Sequence, residues 1–203
     1  MPNNRDMPSH EDKAWATFKT PLDKNSLLEF CQDVERLLRI NPYLVFKKWE
    51  KIGEQLYYFH VVNHSQTPVF KIERNFKVRT NTNGLEISYN QGLKSSTTFF
   101  VEAISGGSKL TITENYQTLT EDERIARLHE VDKSLIKWAK EIQAFLLHWQ
   151  RWSWLPFWRY YMQYVWQPMN PIARRVTYAL LWISAFEVAL VALGAIIYFI
   201  EYR

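Results

Sequence analysis

The sequence predicts an α+β fold: a curved antiparallel sheet of about seven strands wrapped on a long C-terminal helix, then an interfacial aromatic segment and one transmembrane helix. Three observations predict it. Between Tyr43 and Gln117, apolar residues alternate at period two in runs broken by turn residues. From Thr120 to Trp149 the apolar period becomes helical. From Val176 to Ile200 the only ionisable side chains are Glu187 and tyrosines.

The chain of 203 residues has room for one ordinary domain and an appendage. Its charge of +4 arises from bases interspersed with acids rather than gathered in a stripe, which argues against nucleic acid as a partner. Cys31 is the sole cysteine, so an internal disulfide framework and a thiolate zinc site are both excluded. The N-terminal "MPNNRDMPSHEDK" lacks the apolar core of a secretory signal, and the domain after it is expected to stay in a reducing compartment.

"AWATFKT" reads as a first strand. In the stretch that follows, Ser26 and Glu29 form a capping box for a helix along Leu27, Cys31, Val34 and Leu38, which Asn41-Pro42 ends. Turn signals at Gly53-Glu54, Asn63 to Gln66, Asn83-Gly84, Gly92 and Gly106-Gly107 then divide an antiparallel meander of six strands. A second capping box, Thr120 with Glu123, opens a helix of about 30 residues. Its stripe is Ile125, Leu128, Leu135, Ala139, Ile142, Leu146 and Trp149. The concave face of a twisted sheet is the surface on which such a helix can pack.

This element order, with "DVERLLRINPYLVFKKWE" running from helix into strand and "LHEVDKSLIKWAKEIQAFLLHW" as the closing helix, resembles the START-like superfamily. That superfamily is also called SRPBCC, or the polyketide cyclase/dehydratase-like helix-grip fold. The resemblance covers residues 13–150 and implies a hydrophobic cavity between sheet and helix, open to lipids, sterols, polyketides or quinones. The chain departs from most members after residue 150. The expected organisation is a polar tail over 1–12, a helix-grip domain over 13–150, an aromatic membrane-interface segment over 151–172 and a transmembrane anchor over 173–203.

Alternation assigns the inward face. In "PVFKIERNFKVR" the set Phe70, Ile72, Phe76 and Val78 carries Arg74 inward, and in "KLTITENYQ" the set Leu110, Ile112 and Tyr116 carries Glu114. An inward arginine needs a partner, so an Arg74–Glu114 pair is expected, serving either to orient a ligand's polar end or to fix the sheet. Tyr89, Phe99 and Val101 extend the same wall. Tyr58 and His60 join it if the parity of "LYYFHVV" runs that way. No Ser/His/Asp set is found, so no catalytic residue is assigned and no cofactor is expected. His60 and His64, four apart on a strand and its turn, do not make a metal site. The sequon Asn63-His64-Ser65 would go unused in a cytoplasmic domain.

Nine aromatic residues crowd "WQRWSWLPFWRYYMQYVW". Trp152, Trp154, Trp158, Tyr161 and Trp166, with Arg174 and Arg175 beyond them, are expected at the membrane interface, where indole and phenol rings settle at the headgroups. The alternative is that these rings plug the cavity or pack on a partner protein. Val176 to Ile200 is about 25 residues, enough to cross a hydrocarbon core of roughly 30 Å. Arg174 and Arg175 before the span, against Glu201 and Arg203 after it, place the N-terminal domain in the cytoplasm as a tail-anchored protein. Glu187 shares a helical face with Gly194 and Tyr198, beside a stripe of Ala185, Ala189 and Ala192. A carboxyl group at that depth is expected to meet a membrane partner or a second copy. The expected partners are therefore a hydrophobic small molecule or lipid, the membrane, and another membrane protein. The leading function is binding or transfer of that ligand. The alternatives are a cyclase or dehydratase and an accessory subunit.

Overall fold

A computed structural model describes residues 13–116, 133–152 and 154–202. The elements are β1 (Lys13–Thr20), α1 (Lys24–Gln32), α2 (Val34–Ile40), β2 (Leu44–Lys51), β3 (Leu56–Asn63), β4 (Phe70–Asn81), β5 (Gly84–Tyr89), β6 (Lys94–Ile104) and β7 (Gly107–Tyr116). After them come α3 (Leu135–Trp152), α4 (Pro156–Tyr160), a π-helical segment (Tyr161–Trp166) and α5 (Pro171–Glu201). The strands form one antiparallel sheet in the order β1-β7-β6-β5-β4-β3-β2, so β2 to β7 is a meander and β1 joins its far end. The predicted turn residues fall in the turns between successive strands or at the strand ends that border them. At Gly84 the β5–β6 backbones pass so closely that an added Cβ would lie 1.8 Å from the Phe99 carbonyl oxygen.

Paired registers carry one inward face across the sheet. Tyr57 lies opposite Phe76, Phe76 opposite Tyr89, Ile87 opposite Thr97, Thr97 opposite Glu114 and Ile112 opposite Ala16. Trp49, Tyr57, Phe59 and Phe76 form an aromatic cluster at the β2–β4 end, with Tyr57 and Phe76 stacked at 5.4 Å. Both sheet edges, β1 and β2, carry lysines, and β2 bulges between Phe46 and Lys48. Each device discourages a further strand from pairing there.

The first helical stretch is two helices rather than the single one expected. Asp23, not Ser26, caps α1: its carboxylate accepts from the Asn25 and Ser26 amides at 2.9 and 3.0 Å, and from the Ser26 hydroxyl at 2.6 Å. The break comes at Asp33, whose ψ of 81° leaves the helical region while its side chain accepts from the Arg36 amide at 3.0 Å. Aspartate competes for backbone donors in this way, which is why it favours caps over helix interiors. Asn41 ends α2 as expected. Cys31 is buried in the core between α1 and the sheet, and burial pushes its thiol up to about 12, so it stays protonated at neutral pH.

The closing helix, α3, begins at Leu135, after the non-helical Lys133 and Ser134, and so is shorter than the unbroken helix of about 30 residues expected; it buries Leu135, Trp138, Ala139, Ile142, Phe145 and Leu146 along one stripe, against β1 and α2. The expected Thr120–Glu123 box and the positions Ile125 and Leu128 lie outside the described residues. Beyond α3, the π-helical segment returns Met162 and Trp166 to the core. Met162 is 4% exposed, and the Trp166 ring lies 5.2 Å from Phe145. Asn170 caps α5 through the Ala173 amide at 2.8 Å. α5 is long and apolar enough to cross a membrane and buries none of its residues.

Candidate functional site

A cavity of about 220 Å³ lies between the β2–β7 part of the sheet and the α2 and α3 helices. Its apolar walls come from Leu38 of α2, Leu44 of β2, Phe59 and Val61 of β3, Phe70 and Ile72 of β4, and Trp138 of α3. Asn41, Arg74, Tyr89, Lys94 and Tyr116 supply polar atoms. The helical side is held by hydrogen bonds: Trp138 Nε1 donates to the Leu37 carbonyl and Asn41 Nδ2 to Ser134 Oγ, both at 2.7 Å. These join the end of α2 to the start of α3, so the two helices form one wall of the space.

The polar group centres on Glu114, which has 0% exposure. Lys94 Nζ pairs with one carboxylate oxygen and the Tyr116 hydroxyl donates to the other at 2.8 Å. Tyr89 stands beside this group, its hydroxyl 3.3 Å from Thr97 Oγ1, and burial pushes its phenol above the usual range. Arg74 donates to the Gln91 carbonyl at 2.9 Å and lies over the Tyr89 ring at 5.4 Å. Gly92 permits that course. Its φ is +99°, and a Cβ there would sit 2.7 Å from the arginine's Nη1.

The expected Arg74–Glu114 pair is therefore replaced by Lys94–Glu114. β4 and β7 are three strand spacings apart, about 14 Å in the sheet. Lys94 instead lies on the strand next to Glu114, opposite Tyr116. Its inward direction comes from a bulge between Lys94 and Ser96, which reverses the alternation that Phe99 and Val101 follow. Of the other cavity candidates, Phe70, Ile72, Tyr89 and Tyr116 line the space with Arg74. Phe76, Phe99, Val101, Leu110 and Ile112 point inward but are consumed by the packed core, Phe99 against Trp138 at 5.5 Å. Tyr58 and His60 are on the outer face, because β3 turns Phe59 and Val61 inward; the Tyr58 hydroxyl donates to Glu73. Leu38, Asn41, Leu44, Phe59, Val61, Lys71, Leu93, Lys94 and Trp138 also line the space and were not among the expected lining residues. The parity of β3 alone could have found Phe59 and Val61. Asn63 is wholly buried, with its side-chain oxygen accepting from the Ser65 amide at 2.8 Å, a placement that bars glycosylation of the folded protein.

The aromatic junction also differs from expectation. Trp158, Tyr161 and Trp166 pack on the domain core instead of facing outward, while Trp152 and Trp154 are exposed. Arg174 is sunk among carbonyl groups, donating to Arg39 at 2.7 Å, Trp166 at 3.1 Å and Gln167 at 2.9 Å, with its guanidinium 3.9 Å from the centre of the Trp166 ring. Arg175 is exposed. Along α5, Glu187, Gly194 and Tyr198 are exposed too.

TTHA0849 of Thermus thermophilus is similar in structure, with a TM-score of 0.51 at 10% identity over 68% of this chain and 98% of that one. The fold is the helix-grip fold. Two further helix-grip neighbours have lower TM-scores. A STAR-related lipid transfer protein of Xanthomonas axonopodis gives 0.42 at 8% identity, over 66% of this chain and 85% of that one. The di-domain ARO/CYC BexL of the BE-7585A biosynthetic pathway gives 0.44 at 11% identity, over 71% and 47%. No protein-family model matches the helix-grip chain, and no curated protein matches it.

Proposed function

We propose that this helix-grip protein binds a hydrophobic, lipid-like molecule with one polar end, and presents or transfers it at the cytoplasmic face of the membrane that α5 crosses. The observation that carries the proposal is the cavity, apolar along Leu38, Val61, Phe70 and Ile72 and polar at Tyr89, Lys94 and Tyr116, in a chain that also holds an apolar helix of membrane-spanning length. Apolar walls favour a ligand by roughly 25 cal/mol per Å² removed from water, and a few polar groups fix its orientation. A membrane anchor supports the same reading, because it shortens the aqueous path of a poorly soluble cargo. Arg174 and Arg175 before the span support a cytoplasmic domain.

The test is native mass spectrometry with lipid extraction on the full-length protein in mild detergent. A defined apolar molecule should co-purify, and Ile72→Trp, which narrows the cavity, should release it while the melting temperature holds. Retention unchanged by Ile72→Trp would place the molecule elsewhere. No retained molecule, together with a co-purifying membrane protein, would favour an accessory subunit. One arrangement supports catalysis as a second reading: Lys94 and Tyr116 both line the cavity and share the Glu114 carboxylate, a set able to pass a proton. A bound molecule that loses water on the wild-type protein but not on Glu114→Gln would establish that reading.

A further inference from the structure

The junction between α3 and α5 has two aromatic faces. Inward lie Trp158, Tyr161, Met162 and Trp166, packed on the core. Outward lie Trp154, Phe157, Tyr160 and Tyr164, with exposures of 72%, 85%, 64% and 61%. Phe157, Tyr160 and Tyr164 follow helical spacing, and the Tyr160 and Tyr164 rings are 4.9 Å apart, so the outward residues form a stripe rather than scattered contacts. A continuous aromatic patch on a surface marks a place where something else excludes water.

Charge indicates what that is. From Glu141 to Glu187 the chain has no acidic residue between those two, while Arg151, Arg159, Arg174 and Arg175 are all basic. Arg151, Arg159 and Arg175 are exposed. Arginine beside tryptophan and tyrosine suits the headgroup layer of an anionic bilayer, where rings are half-immersed and cations meet phosphates. Position points to the same occupant. The outward stripe ends at Tyr164, seven residues before α5 begins, and Arg174 binds the first turn of α5 to the carbonyls of Trp166 and Gln167. A surface fixed so near the start of a span lies close to the same bilayer.

We infer that the outward face of Trp154, Phe157, Tyr160 and Tyr164 lies in the lipid headgroup layer, as a second membrane contact beside the span. This rests on reading α5 as a membrane span. The contact seats the domain on the bilayer at one fixed face, with the α2–β2 end of the cavity nearest the junction: Leu44 lines both the cavity and the crevice that Arg39, Met169 and Arg174 form.

The test uses full-length protein in nanodiscs of phosphatidylcholine with a minor fraction of phosphatidylglycerol. Nitroxide labels are placed singly at Phe157→Cys, Tyr164→Cys, Val188→Cys in α5, and Glu54→Cys in the β2–β3 turn. Cys31 is buried, and a sample without added cysteine checks that it takes no label. Accessibility to oxygen and to a water-soluble nickel chelate is read by power saturation. The oxygen-to-nickel ratio at 157 and 164 should rise severalfold above that at 54, towards that at 188. If 157 and 164 match 54 while 188 is in lipid, the inference fails and the span stands. If 188 is itself in water, the membrane reading fails with it. Labels at 157 and 164 shielded from both reagents would mean that a protein covers the face, which also overturns the inference.

Discussion

A carboxylate with no solvent exposure persists only where cations and donors surround it, and Glu114 has Lys94 and Tyr116. Glu114→Gln keeps the shape and removes the charge facing Lys94, which should cost about 3 kcal/mol. The melting temperature of the full-length protein in detergent should fall on the order of 10 °C. An unchanged melting temperature would show that the pair contributes nothing to the fold. The inward placement of Glu114 was legible in the alternation with Leu110 and Ile112, but its partner was not. Ser95 carries no glycine-like mark of a bulge, and one extra residue there is enough to turn Lys94 inward. Nor does alternation distinguish a lined space from a filled one. Phe99 and Phe70 have the same inward parity, yet Phe99 meets Trp138 from 39 positions along the chain while Phe70 meets the cavity.

Among the elements, the strands were the most legible, because each turn carries its own chemistry and each strand its own period. Two of those turns make a paired prediction. A Cβ on Gly106 would meet nothing within 4 Å, so Gly106→Ala should cost about 1 kcal/mol, from the left-handed backbone alone. Gly84→Ala would drive a methyl group into the Phe99 carbonyl and should cost more than about 4 kcal/mol by separating β5 from β6. Thermal melts of the two variants check this; equal losses would mean that the β5–β6 crossing relaxes freely. The helices were harder to read. Leu27, Cys31, Val34 and Leu38 keep helical spacing through Asp33 because α1 and α2 bury the same side, so the period hides the break. In α4 and the π-helical segment, composition announced amphipathic rings, but which of them turn inward depends on Phe145 and the rest of the core.

On the scale of the whole molecule, domain and apolar helix are joined by buried contacts. Met162 and Trp166 complete the core from beyond α3, and Arg174 links α2, the π-helical segment and α5 through three carbonyl groups. Hydrogen bonds from a charged donor contribute about 1.5–3 kcal/mol each at most, so Arg174→Met should raise amide exchange over residues 161–170 on the order of tenfold while the sheet stays protected. Exchange that rises equally in β6 and β7 would instead mean that Arg174 supports the domain as a whole, and no change would mean that it fastens nothing. The fastening has a consequence for encounters. A domain on a loose linker samples a hemisphere above its anchor and can meet partners at many heights. With α5 in a bilayer, this one would stand like a post: it can drift in the plane and spin about the normal, and little else. Whatever meets it there must then come to a set height and turn a matching side, so meeting rates would follow lateral density in the membrane rather than concentration in the surrounding fluid.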